Sequence, residues 1–284
     1  MNRIILGGVL ALVVGIPGLM AQPKVKSKAE GEALNAMFTA TTADARIAAA
    51  ENVLTKFADT DFKATALYFE AVSYQQKGDY EHSVVFGERA VEADPKHFQA
   101  MLVLAEEIAQ HTKEFDLDRE EKLAKVEKYA KTAIELAKAA PKPNPNLSDD
   151  QWTAAKKDFD SQGHEALGLA AMARKKPEIA ETEFKVALDD VEKPDPGIMV
   201  RLGMAYSQEG KYDDAIAMFD KVMAMADIPP QFHQFAQAER VRAIQKKTGG
   251  AKPAAAAAPA NGAAPANGAA PATPAPPDTE VKKP

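Results

Sequence analysis

Residues 196–227 read PGIMVRLGMAYSQEGKYDDAIAMFDKVMAMAD. Met199, Leu202, Gly203 and Tyr206 recur at helical spacing, so the segment opens as an amphipathic helix. Gly210 marks where that helix ends in a left-handed residue, and Tyr212 starts a second helix that carries Ala215 and Phe219. Gly203 and Ala215 are small where two helices cross closely, and Leu202, Tyr206 and Phe219 fill the space around the crossing. One such pair cannot bury its apolar face alone, so further copies are expected elsewhere in the chain.

The same grammar runs over residues 64–95. Leu67, Ala71 and Tyr74 mark a first helix, Gly78-Asp79-Tyr80 a turn, Ser83, Gly87 and Ala90 a second helix, and Pro95 its end. A third copy starts near Ser161, with Leu167-Gly168, Ala171, Ala180, Phe184 and Ala187. Its turn is Lys175-Lys176-Pro177, with Pro177 suited to the first turn of a helix. A fourth is distorted: Met101, Leu104, Ala105 and Ile108 precede Val126, Ala130 and Ala133, with an insertion over 110–120 between them. There Asp118, with Glu121, is expected to cap the second helix. A weaker unit leads, over 33–38 and 45–57, its second helix opened by Thr41 or Thr42. Residues 230–247 form a helix with no partner after it, as expected where a stack closes.

These residues resemble the tetratricopeptide repeat, whose pattern runs W-x2-L-G-x2-Y, then A-x3-F, then P. In the last copy Met199 takes the Trp place, Leu202-Gly203, Tyr206, Ala215 and Phe219 match, and Asp227 stands where the closing Pro belongs. The resemblance implies an all-α fold: a right-handed TPR-like solenoid of antiparallel helix pairs over 22–248. The units fall at about 29–60, 64–97, 98–138, 161–195 and 196–229, followed by a capping helix at 230–247. Residues 139–148, with Pro141, Pro143 and Pro145, form a semi-rigid connector, read as a loop inserted in one continuous array, the alternative being a break between two solenoid halves. Ser148-Asp149-Asp150-Gln151 then forms a capping box that opens the next helix. Trp152, one turn further, is expected to pack against the adjacent repeat.

The resemblance also implies a concave groove lined by the first helix of each pair. Projecting those helices places Tyr68, Val72, Gln75 and Gln76 on its inner face, then Leu102, Glu106 and Gln110. Glu165, Leu169 and Met172 follow, and then Val200, Met204 and Gln208. Such a groove suits an extended or helical peptide, with Gln side chains bonding its backbone and Met side chains adapting to its surface. Some relatives clamp a peptide's terminal carboxylate with Lys and Asn pairs. The matching positions here hold Tyr68, Phe69, Val72 and Leu102, so that activity does not transfer. Arg201 is the one groove-side cation read in the later repeats.

The termini differ in kind. Arg3 precedes an apolar run at 4–16, Pro17-Gly18 breaks it, and Leu19-Met20-Ala21 offers a cleavage site before Gln22. Residues 1–21 therefore read as a secretory signal, the alternative being an uncleaved inner-membrane anchor. Export to the periplasm or outside the cell is the expectation. Residues 249–284 are almost wholly Ala, Pro, Asn, Gly and Thr, too poor in buriable surface to order, and read as a disordered tail. It is a solubilising segment or a spacer that touches cell wall or a membrane complex.

Composition narrows the chemistry. A net charge of −6 and no Lys/Arg cluster interleaved with aromatics argue against a nucleic-acid partner. Cysteine is absent, which removes disulfides, thiolate metal sites and a cysteine nucleophile. His82, His97, His111, His164 and His233 are scattered and read as surface or helix-end residues. The acids Glu114, Asp116, Asp118, Glu120 and Glu121 alternate but lack the central Gly of a calcium loop. No cofactor, metal or catalytic set is expected. The reading is a non-enzymatic scaffold of the cell envelope that binds protein or peptide segments, the alternative being a structural subunit of an envelope or secretion assembly, and the third an enzyme.

Overall fold

The computed structural model describes residues 23–143, 146–189, 191 and 193–249. The signal segment read at 1–21, Pro145, and all but Gly249 of the tail read at 249–284 lie outside the described residues. Among those described there are eleven α-helices and no strand. They form five pairs: α1 (Lys28–Thr39) with α2 (Ala43–Lys56), α3 (Lys63–Gln76) with α4 (Tyr80–Ala93), α5 (Phe98–His111) with α6 (Arg119–Ala139), α7 (Asp149–Ala173) with α8 (Pro177–Leu188), and α9 (Pro196–Gln208) with α10 (Tyr212–Met223). A last helix, α11 (Pro230–Thr248), packs on α10. Each helix packs on the next in sequence; α3 also touches α5, α5 touches α7 and α9 touches α11. The first helices of the pairs thus lie along one side of the stack.

Local signals explain the boundaries. Ser27, Thr42, Asp79 and Asp195 each accept a backbone N–H from the helix they open. Ser148 and Gln151 complete the capping box of α7, and Pro177 stands in the first turn of α8. Gly78 and Gly210 take φ of +71° and +79° at the two turns that carry glycine, a conformation that costs other residues their Cβ clearance. Asp118 departs from expectation. It stands at the N-cap of α6, but its carboxylate pairs with Lys122 at 3.0 Å and makes no cap bond.

Three pairs of residues show how the helices approach. A Cβ on Gly203 would lie 2.6 Å from the ring of Phe219, and Gly168 meets Phe184 in the same way. Between the second and third pairs the arrangement inverts: Gly87 of α4 receives Leu104 of α5. The fourth unit begins earlier than Ser161, because α7 is continuous from Asp149. Its opening turns run along the end of α6, where Lys138 pairs with Asp160 at 3.0 Å and Lys156 donates to the Lys138 carbonyl at 2.8 Å. They carry Phe159 onto Phe98 of α5, ring centroids 5.0 Å apart, with buried Trp152 set edge-on to Phe159.

The second pair has a carboxyl at a position that is leucine in the later pairs. Glu70 stands where the next pairs place Leu104, Leu167 and Leu202, and it is buried with Oε2 lacking a hydrogen-bond partner. Burial, reinforced by Glu51, pushes its carboxyl up to about 7 against the nearby Arg89. Glu107 is likewise pushed to about 7 by burial. Both groups hold a proton more tightly folded than unfolded, so their contribution to stability falls as pH rises from the ordinary value of 4.5 through about 7 and levels above it. Glu70→Gln is therefore expected to add on the order of 1–2 kcal/mol at about pH 8 and little at about pH 4. Thermal unfolding at the two pH values checks this, and an equal shift at both would reject a buried carboxyl as the cause.

Candidate functional site

The side formed by α3, α5, α7 and α9 is exposed in two stretches. In the first, Tyr68, Val72, Gln75 and Gln76 of α3 stand beside Glu106 and Gln110 of α5, all at least partly exposed. The amides are already engaged. Gln75 Nε2 donates to Glu106 Oε2 at 3.3 Å, and Gln110 Nε2 donates to Glu106 Oε1 at 3.0 Å. Gln76 Oε1 accepts from Arg46 Nη1 at 3.0 Å. Tyr68 packs between His97 and Phe69, and burial pushes its hydroxyl up to about 12. The same burial draws His97 down, and its Nδ1 accepts the Ala100 N–H as the N-cap of α5.

Arg46 is a residue the sequence reading passed over. It belongs to α2, a second helix, yet it is buried and reaches the Ala40 carbonyl at 3.0 Å as well as Gln76. Its signal was a basic residue inside the apolar register Ile47, Ala50, Val53. Leu102 does not line this stretch. It is 3% exposed and clusters with Phe98, Phe159 and Leu136, because the opening turns of α7 close over that part of α5.

The second stretch holds Leu169 and Met172 of α7 with Met204 and Gln208 of α9. Leu169, Met172 and Met204 rest half-buried on the C-terminal core and leave the remainder of their surface open. Val200 is absent from it, fully buried in a cluster that contains Phe232 of α11. Glu165 and Arg201 are absent too. Both are buried, and they bond to one another between α7 and α9 through Glu165 Oε1 and Arg201 Nη1. The cation read as facing a ligand is thus neutralised inside the fold, with its Nε left without a hydrogen-bond partner.

The remaining polar candidates are spread along the stack. His82 caps with Asp79, His111 stacks on Tyr80 at 4.2 Å, and His233 bonds the Met225 carbonyl. His164, half-buried in mid-helix and not at a helix end, bonds Glu183 at 2.7 Å. The acids of the α5–α6 insertion turn to lysines and arginines. Among the described residues no group of three or more His, Asp or Glu is placed to hold a metal ion.

What this arrangement offers is a preformed two-part surface, one part of amides and a carboxylate, the other of Met and Leu. Comparison with known proteins agrees with the architecture. No curated protein sequence matches the chain. A crystal structure of a thermophilic TPR protein from Thermus thermophilus superposes with a TM-score of 0.51 at 20% identity, covering 70% of this chain and 91% of that one. Residues 64–97 and 196–227 match the Tetratricopeptide repeat family, so the chain carries tetratricopeptide repeats in an all-helical stack.

Proposed function

We propose that this protein is a non-enzymatic interaction scaffold of the cell envelope that binds peptide or protein segments along its first-helix side. Tetratricopeptide repeats serve protein–protein interaction in general, which supports the coarse reading. The observation that carries the finer one is the half-open patch of Leu169, Met172 and Met204. Met side chains have adaptable shapes, and a rigid scaffold spends little ordering entropy when a segment settles on them. The segment at 1–21 and the break at Pro17-Gly18 support export.

A photo-crosslinking residue placed at Met172 or Gln208 in cells is expected to yield protein adducts in the envelope fraction. One placed at Val85, exposed on the second helix α4, is expected to yield few. Equal yields at both places, or none at Met172 and Gln208, would reject the first-helix side as the binding surface.

A further inference from the structure

The α5–α6 insertion carries the two most exposed large apolar side chains among the described residues. Phe115 is 89% exposed and Leu117 107%, whereas the others in this class lie between 38% and 51%. The acids around them turn back to the body. Glu114 reaches Lys175 in the α7–α8 turn at 2.5 Å, and Asp116 and Asp118 share Lys122 at 2.9 and 3.0 Å. Glu120 accepts from Arg174 at 2.8 Å, and Arg119 donates to the Ala173 carbonyl. The loop is pinned to the neighbouring pair while two apolar side chains stand in water. That arrangement forfeits burial free energy in an isolated molecule, and recovers it when a second surface covers them.

A receiving surface lies close by. Between α6, α7 and α8 runs a cleft of about 220 Å³, with Leu167, Ala171 and Ile179 forming its apolar part and Lys131 and Lys176 at its edge. The acids that also line it, Glu127 and Glu183, are bonded to Arg174 and His164. Arg174 links the two features directly, since it lines the cleft and holds Glu120 at the base of the loop.

We propose that this face joins two copies of the chain. Phe115 and Leu117 of one copy enter the α6–α8 cleft of the other, and the contact repeats in reverse about a two-fold axis. Prong and cleft adjoin on one face, so a two-fold axis closes both contacts together. Charge agrees: Glu121, 74% exposed and only loosely bridged to Lys125 at 3.9 Å, stands beside the prongs, and Lys176 lines the cleft.

Sedimentation equilibrium of the full chain decides this. A species of twice the 30.4 kDa chain mass is expected by ~100 µM, where a homodimer with Kd of ~10 µM is mostly assembled. Phe115→Ser with Leu117→Ser on the prongs, and separately Ile179→Asp in the cleft, are each expected to weaken dimerisation by about tenfold or more with unchanged circular dichroism. Mixing the two variants is expected to recover a weaker dimer, because one intact prong still meets one intact cleft. A wild-type chain that stays at monomer mass throughout overturns the proposal, and so does a dimer that both variants leave intact.

Discussion

Gly203→Leu is expected to destabilise the fold by about 3 kcal/mol or more. A Cβ at this position would lie 2.6 Å from Phe219 Cε1, 2.9 Å from Cζ and 3.0 Å from Cδ1, and Leu adds three further carbons in the same direction. The ring cannot step aside cheaply. Phe219 is fully buried in a cluster that includes Phe184, Leu202, Tyr206 and Val222, and close-packed interiors hold few spare voids. The helices α9 and α10 must therefore separate, which also loosens α11 on α10. Equilibrium urea unfolding measures the loss, and adding Phe219→Leu should restore part of it. An unchanged midpoint for Gly203→Leu would mean that these two helices do not cross at Gly203.

Arg201→Ala is expected to cost about 3–5 kcal/mol, because it breaks the ion pair with the buried Glu165 carboxylate and leaves space where the guanidinium packed. The double variant Glu165→Leu, Arg201→Met should be close to wild type or more stable. The pair is imperfect as built: Arg201 Nε is buried with no hydrogen-bond partner, so taking both charges out of water is only partly offset. Unfolding the wild type, both single variants and the double closes a cycle that isolates the pair. A loss under about 1 kcal/mol for Arg201→Ala would show that the two side chains are solvated in solution.

Most of the fold was written in short-range signals. Gly78, Gly210, Pro177 and the Ser148 capping box each act within one turn of chain, and each ends or starts a helix where its chemistry requires. The surface was less legible, because exposure depends on what a neighbouring element covers. Leu102 projects onto the inner side of α5, as the 3.6-residue period says, yet the opening turns of α7 lie over it. The cue was Trp152 and Phe159 one heptad apart, an aromatic stripe that had to rest on something. Arg201 looked like a free cation because a single helix was projected. Its partner Glu165 sits 36 residues earlier, about one repeat away and on the preceding first helix. Asp118 shows a competition: a carboxylate at an N-cap can serve the backbone or a lysine one turn on, and Lys122 takes it.

The inverted contact at Gly87 bears on how the stack holds together. In the fourth and fifth pairs a small residue and the ring that fills its space belong to the same hairpin, through Gly168 with Phe184 and Gly203 with Phe219, although Gly163 of the fourth also receives Ile134 of α6. Those hairpins carry much of their packing as intrinsic repeat energy. Gly87 instead takes Leu104 from the following hairpin, so the second pair is completed by its neighbour and its stability is shifted into the interface term. The array is therefore not a row of interchangeable modules. Excising residues 98–138 would leave a hole at Gly87 in the preceding hairpin and another at Gly163 in the following one, so the second, third and fourth pairs are expected to melt together.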